Sequence, residues 1–450
     1  MKYKKPIVSS LLVASCLVIL AAYFYEDQRL NIVIIIADDL GWNDVGVYGN
    51  TFVRTPNIDA LAAQGLRFDN AFLATASCSA SRASILTGRY PHSNGLKHLH
   101  QALPEEEVTL AEILHDEGYY TASVGKWHIG KHAKKGFDFV YDDAGKNSDS
   151  GSEQWLQSLK NRPNKQPFFF WLASRDPHRP YRDSADLPEK YLADEIVVPD
   201  HLYDGPATRQ ELVGYYREVS RFDSYIGSVI EELNRQQVLS NTLVIVMSDN
   251  GRPFARAKPL LYDDGIKTPF ILFGPDSVLS AGIRNQLISM VDLVPTILEL
   301  LNIAIPKNVQ GISFFSMLKN PEKLTRKLVY AERNWHGSNA HERVVRSHDF
   351  LYKENQFPLS GDCYSNGYSS TYHFAELKKS YKNGMQKNLT TCFADKRAAV
   401  ELFAVDVNGG KSANLAQDPL YKDELNRLSS ALEYWRSNTN DTDYEHYERP

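Results

Sequence analysis

Cysteine is scarce in this sequence, with four residues in 450. So low a number excludes a disulfide-dense scaffold. A surplus of one charge is also missing. Fifty Lys and Arg stand against 55 Asp and Glu, a formal net charge of −5. That balance asks for neither nucleic acid nor an anionic membrane as partner. No internal repeat is visible, and only one long apolar run occurs, at the N-terminus. What is present is ample core material. Hydrophobic residues make up 43% and aromatic residues 11%, so the chain is not disordered overall and can bury a large core.

Residues 1–28 stand apart. Met1-Lys2-Tyr3-Lys4-Lys5 is basic, and Ile7 to Phe24 is almost wholly apolar. This pattern predicts a signal peptide or N-terminal anchor. The run is about 18 residues, the short edge of what spans a bilayer. Val13-Ala14-Ser15-Cys16 also resembles a bacterial lipobox, although the apolar run continues past Cys16. The expectation is an exported protein, in the periplasm or secreted, whose contact with a membrane is through this segment alone. Cys363 and Cys392 are close enough in sequence to pair in an oxidising compartment. Cys78 is then left alone, and a lone cysteine in an exported chain asks for an explanation.

Three apolar runs read as buried strands of a parallel sheet: Asn31 to Ala37, Phe168 to Ala173 and Leu243 to Met247. Each stops at a polar cluster, respectively Asp38-Asp39, Asp176-Pro177-His178 and Ser248-Asp249-Asn250. Ligands of open α/β sheets bind beyond the carboxyl ends of the strands, so the three clusters are expected to converge. Helices are expected between the strands: Asn57 to Gln64, Leu110 to Asp116, Arg209 to Leu233 and Val291 to Leu301. The alternation predicts an α/β fold, a large and mostly parallel sheet sandwiched by helices. Near Lys319-Asn320-Pro321 the pattern changes to short alternating stretches and a final amphipathic helix, Asp423 to Trp435. We read 29–320 as the catalytic domain and 321–450 as a smaller α+β subdomain.

Cys78-Ser79-Ala80-Ser81-Arg82 runs into Ala83 to Thr87 and then Gly88. A helix over this stretch, stopped by Gly88, puts Cys78 at its N-terminus, where the dipole favours an anion. Arg82 then lies one turn along on the same face. This segment resembles the signature of the type I sulfatases, Cys-x-Pro-Ser-Arg with a Leu-Thr-Gly ending. Cys78, Ser81, Arg82, Leu86, Thr87 and Gly88 match it, and Ala80 stands where proline is usual. The resemblance continues through Asp38-Asp39, Gly125-Lys126-Trp127-His128, Asp176-Pro177-His178 and Ser248-Asp249-Asn250-Gly251, in the family's order. It implies an alkaline phosphatase-like fold and oxidation of Cys78 to formylglycine, whose hydrate is the nucleophile. It also implies a maturing partner, either a formylglycine-generating enzyme or a radical maturase. Ala80 leaves the choice between them open.

The same resemblance implies roles for the other residues. Asp38, Asp39, Asp249 and Asn250 are hard oxygen ligands suited to Ca²⁺, with residue 78 completing the set. Arg82, Lys126 and Lys258 would neutralise sulfate oxygens. His178 is the candidate acid for the leaving group, and His128 would assist release of sulfate. His98-Leu99-His100-Gln101 and Glu332-Arg333-Asn334-Trp335-His336 resemble the sulfamidase branch, which acts on N-sulfated heparan chains and includes bacterial enzymes acting on ulvan. His100, Arg179, His336 and His341 are the candidates for gripping an acidic sugar. The expected substrate is a sulfated carbohydrate. Two other readings are a phosphatase or phosphonate-ester hydrolase of the same superfamily, and a catalytically silent binder of sulfated glycans.

Overall fold

The computed structural model describes residues 29–142, 150–181, 187–199, 201–357, 371–384, 393, 397–405 and 413–442. The expected leader and the cysteines 363 and 392 lie outside the described residues. Among the described residues, no helix is long and apolar enough to cross a membrane.

The main sheet holds β1 (Asn31–Ala37), β2 (Leu66–Phe72), β3 (Tyr120–Gly125), β4 (Phe139–Tyr141), β5 (Phe168–Ala173), β6 (Thr242–Ser248), β7 (Phe270–Phe273) and β8 (Gly282–Ser289). Their spatial order is β4-β3-β5-β1-β6-β7-β2-β8. Only β7 runs against its neighbours. The longer helices are α1 (Pro56–Gln64), α2 (Cys78–Thr87), α3 (Leu110–Asp116), α4 (Trp155–Asn161), α5 (Pro206–Arg235), α6 (Leu293–Leu300), α7 (Tyr372–Lys382) and α8 (Lys422–Thr439).

β1 is central because Ile32 to Ala37 are all apolar and can be buried on both faces. Ile32, Ile34 and Ile36 join one core with residues of α2, α3 and α6. Val33, Ile35 and Ala37 join the opposite core with residues of α1, α4 and α5. The alternation is the strand period of two, here filled with hydrophobic residues in both directions. The expected helices and strands therefore form, and the sheet is the mostly parallel, helix-covered sheet the sequence predicts.

A second sheet follows, antiparallel throughout: β9 (Val329–Trp335), β10 (Asn339–Arg346), β11 (Phe350–Asn355) and β12 (Val400–Ala404), in the order β12-β11-β10-β9. Leu428, Leu432 and Trp435 of α8 pack on it beside Val345, Tyr352 and Leu402. The stretch Val344 to Tyr352 spans the end of β10, a short turn and the start of β11. β9 docks on the first sheet's side: the Glu332 amide donates to Ala74 O at 2.8 Å. Its far end, Trp335, bridges to His98. This docking delivers the residues after β9 to the carboxyl edge of the main sheet.

Candidate active site and metal centre

The register of the central strands builds the site. Ala37 pairs with Ser248, and Gly125 with Ala173. The strands end level, so the polar residues that follow emerge side by side. The Asp249 amide donates to Ala37 O at 3.1 Å, and the Asp38 amide to Asp176 O at 3.0 Å. The Lys126 amide donates to Ala173 O at 3.0 Å. Gly125 permits this closeness. At φ 104°, a Cβ there would lie 1.9 Å from Ala173 O. Asp39 turns at φ 73°, and its amide donates to Asp249 Oδ1 at 3.2 Å.

Cys78 opens α2 as the sequence predicts, and Gly88 closes it in a left-handed conformation at φ 67°. Arg82 is fully buried. Its Nε donates to Asp249 Oδ2 at 2.7 Å and its Nη1 to Lys126 O at 2.8 Å. Lys258 Nζ donates to Asp39 Oδ1 at 2.6 Å and to Cys78 Sγ at 2.9 Å. Lys126 Nζ pairs with Asp38 Oδ2. Cys78, Arg82, Lys126, Lys258 and the acidic residues are thus one contiguous cluster.

Its electrostatics follow from burial and crowding. Burial alone would raise the Asp38 carboxyl, but Lys126, His178, Arg82 and Lys258 together hold it well below the usual range. Asp249 goes the other way, to about 6, because burial and the neighbouring Asp38 outweigh Arg82. Lys258 stays charged: burial opposes the ammonium, and the carboxylates of Asp39, Asp38 and Asp249 overcome it. Burial pushes the Cys78 thiol up to about 11 despite Lys126 and Lys258. An unmodified Cys78 is therefore a neutral thiol near pH 7 and a poor nucleophile.

The donor set fits a hard divalent cation. Acceptor oxygens of Asp38, Asp39 and the sulfur of Cys78 lie within 4.8 Å of one another. Asp38 Oδ1 and Asn250 Oδ1 are buried with no hydrogen-bond partner. Buried acceptors are normally satisfied. Asn250 Nδ2 donates to Asp39 Oδ1 at 2.7 Å, which fixes the amide so that its oxygen is the bare atom. Oxygens of carboxylates and an amide suit Ca²⁺ or Mg²⁺ rather than a soft metal.

The histidines divide. His128 Nε2 lies 2.7 Å from His100 Nδ1. Both residues sit at left-handed φ, 69° and 67°, and the His100 amide donates to Ser79 Oγ on α2 at 3.1 Å. Burial, with Lys126 and Arg82 nearby, lowers His128 to about 2, so this ring is neutral. His178 points Nδ1 at Arg179 O, leaving Nε2 at 3.8 Å from Asp39 Oδ2. Partial desolvation by the surrounding wall lowers its pKa against the pull of Asp38 and Asp39, while 41% of the side chain stays open to solvent. His336 is held by Ser77 Oγ at 2.9 Å, one residue before Cys78. Burial, Lys258 and Arg333 keep it well below its usual range.

Two of the expected sugar-gripping residues are placed differently. Arg179 is engaged by Glu211 at 3.0 Å and by Pro253 O, and its guanidinium lies over the Phe254 ring at 4.7 Å. It stiffens the wall beside His178. His341 belongs to another neighbourhood, facing Arg343 of β10, Arg436 of α8 and Asp441 just after α8. It lies within the irregular register of β9 and β10 between Asn339 and Glu342.

Sequence reasoning missed the groups that support the site. Arg221 grips Asp176 through two bonds of 2.9 and 2.7 Å, both side chains 1% exposed. This fixes the turn that carries His178. Tyr215 OH accepts from the Gly41 amide at 2.9 Å and donates to Asp44 at 2.8 Å, while Arg252 pairs with Asp44 at 3.0 Å. These hold the loop after Asp39. Their one sequence signal is the presence of Arg221 and Tyr215 within the apolar face of α5, where polar groups need a buried partner.

The comparisons with known proteins agree with this geometry. The Sulfatase family model matches residues 30–303. A second, the C-terminal model of N-sulphoglucosamine sulphohydrolase, matches residues 255–401. The chain is 29% identical over 480 residues to human N-sulphoglucosamine sulphohydrolase, covering 95% of this chain and 94% of that protein. It is 30% identical over 346 residues to an ulvan-active sulfatase of Formosa agariphila, covering 66% of each. Among solved structures, BT4656 in complex with D-glucosamine-2-N,6-O-disulfate superposes with a TM-score of 0.72 at 20% identity, over 93% of this chain and 100% of that one. A 2-O glycosaminoglycan sulfatase superposes at 0.69 with 20% identity, over 93% and 95%. These two likenesses bear on the fold.

Proposed function

This chain belongs to the sulfatase family, on its sulfamidase-like branch, and is a sulfuric ester hydrolase; we propose that it releases sulfate from a sulfated glycan using formylglycine formed at Cys78 and a bound Ca²⁺. Ulvan-type and heparan-type chains are the candidate substrates, because relatives named for ulvan and for N-sulphoglucosamine share its branch. The observation that carries the proposal is the meeting of Cys78 with Asp38, Asp39, Asp249 and Asn250 beside Arg82, Lys126 and Lys258.

Asp38, Asp39, Asp249 and Asn250 would hold the ion, which supplies charge to a sulfate oxygen. Formylglycine supplies, as its hydrate, the nucleophile that a protonated thiol lacks. The chain's own groups do the rest. Arg82, Lys126 and Lys258 surround the position where a sulfate group must sit and stabilise charge that grows on its oxygens. Their burial makes each such contact stronger than it would be in water. His178 is the proton donor to the departing oxygen in its doubly protonated form: Nδ1–H is tied to Arg179 O, and Nε2–H is the proton that faces the cluster, where Asp38 and Asp39 favour the charged ring. His128, whose Nε2 meets His100 Nδ1 at 2.7 Å, is the group that would assist the release of sulfate.

The chain divisions belong to the same reading. Residues 1–28 serve export to the periplasm, 29–320 form the catalytic domain, and 321–450 carry the second sheet. The maturing enzyme is the protein partner, and its class follows from how it treats Ala80.

Calcium removal tests the metal role. Exhaustive chelation should lower sulfate release by at least tenfold, and added Ca²⁺ should restore it. An unchanged rate in fully stripped protein contradicts the proposal.

A further inference from the structure

His178 forms part of the wall of a second space. A cavity of about 880 Å³ opens beside it, along the first turns of α5 and the start of α7. Small-molecule sites occupy roughly 300–1,000 Å³, so this volume suits a ligand of disaccharide size. Three features make it a built site rather than a gap. Arg179 and Glu211 are paired at 3.0 Å, and Thr371 Oγ1 is tied to His373 of α7 at 2.8 Å, so lining side chains on both walls are held by partners. Tyr181 lies directly on the α5 backbone at Gly214, where an added Cβ would be 2.7 Å from the Tyr181 Cβ. A larger residue there would drive the ring into the cavity. Finally, Tyr372 stands 83% exposed at the mouth, and Gln210 offers an exposed amide on the facing helix.

An aromatic face opposite hydrogen-bonding side chains is what a pyranose ring needs, since its two faces are apolar and its rim is polar. The position decides which sugar it is. The leaving group is the desulfated sugar itself, and His178 borders both the acidic cluster and this cavity, so the cavity begins next to that sugar. We propose that this cavity is a glycan subsite, in which Tyr372 stacks on the sugar residue next to the desulfated one and Gln210 bonds its hydroxyls. The enzyme then prefers oligosaccharides to single sulfated sugars. This rests on the sulfatase reading above.

Two measurements separate the subsite from that reading. The first is sulfate release from a sulfated tetrasaccharide, a sulfated monosaccharide and an aryl sulfate. Tyr372→Ala and Gln210→Ala should raise KM for the tetrasaccharide about tenfold more than for the two small substrates. Equal losses on all three overturn the subsite while leaving the sulfatase reading intact. The second is tetrasaccharide binding to Cys78→Ala protein by calorimetry, which needs no turnover. Adding Tyr372→Ala should weaken that binding about tenfold. Unweakened binding overturns the subsite, whatever the turnover assays show. Release of sulfate from no substrate, with binding still dependent on Tyr372, sinks the sulfatase reading alone.

Discussion

His178 shows what one residue contributes here. Its Nδ1 is tethered and its Nε2 faces the acidic cluster, so its rate contribution depends on how much the departing oxygen needs a proton. General acids contribute about 10²–10⁴-fold. We predict that His178→Ala lowers kcat by a factor in that range on a sugar sulfate, and far less on an aryl sulfate, whose phenolate leaves unaided. Equal losses on both, measured as released sulfate, contradict its role as acid. Single residues were also where the sequence was most and least informative. Cys78, Arg82 and Lys258 could be named from their motif positions, and the structure joins them through Asp249 and Asp39. The Asp44–Arg252 and Asp176–Arg221 pairs could not. Each links chain segments far apart in sequence, and no local spacing announces such a partner.

Elements aim these residues, and β3 shows how narrow the tolerance is. Gly125 closes β3 against Ala173, and Lys126 follows immediately. Gly125→Ala combines a left-handed φ with a backbone clash. It should destabilise the fold by about 1–3 kcal/mol, read as a lower denaturant midpoint at unchanged slope. A variant as stable as the parent would show that the strand ends are not held as described. The central elements were legible because their burial is extreme: β1 is apolar after Asn31 and β5 throughout, and their limits match the runs in the sequence. The edge elements were not. β8 alternates irregularly between exposed and buried residues, and β7 has only four residues. Such strands exist through their neighbours rather than through their own composition. The helix at Cys78 was legible for the opposite reason, since a glycine at its end marks it locally.

The whole molecule is two sheets joined at the site, and the second sheet holds a buried charge network. Glu342 is fully buried and meets Arg333 at 3.0 Å, Arg397, and Lys353 at 4.0 Å. Burial alone would raise its carboxyl, but Arg333, Lys353 and Arg397 hold it at about 2, below the usual 4.5. A depressed carboxylate pKa contributes stability that is present above the unfolded value and lost as pH falls through the folded one. The stability difference between wild type and Glu342→Gln should therefore be full at pH 6 and shrink from about pH 4.5 towards pH 2. A difference that stays constant in urea unfolding across that window contradicts the network's role. Arg333 also acts on His336, so this network connects the second sheet to the pocket around Cys78. That pocket carries the central claim, that the working nucleophile is made from Cys78. Preparations expressed with and without a maturing enzyme will carry formylglycine in different fractions, measured by mass spectrometry of the Cys78 peptide. Sulfate release per protein should rise in proportion to that fraction and extrapolate to zero at none, whereas a rate independent of the fraction would contradict the account.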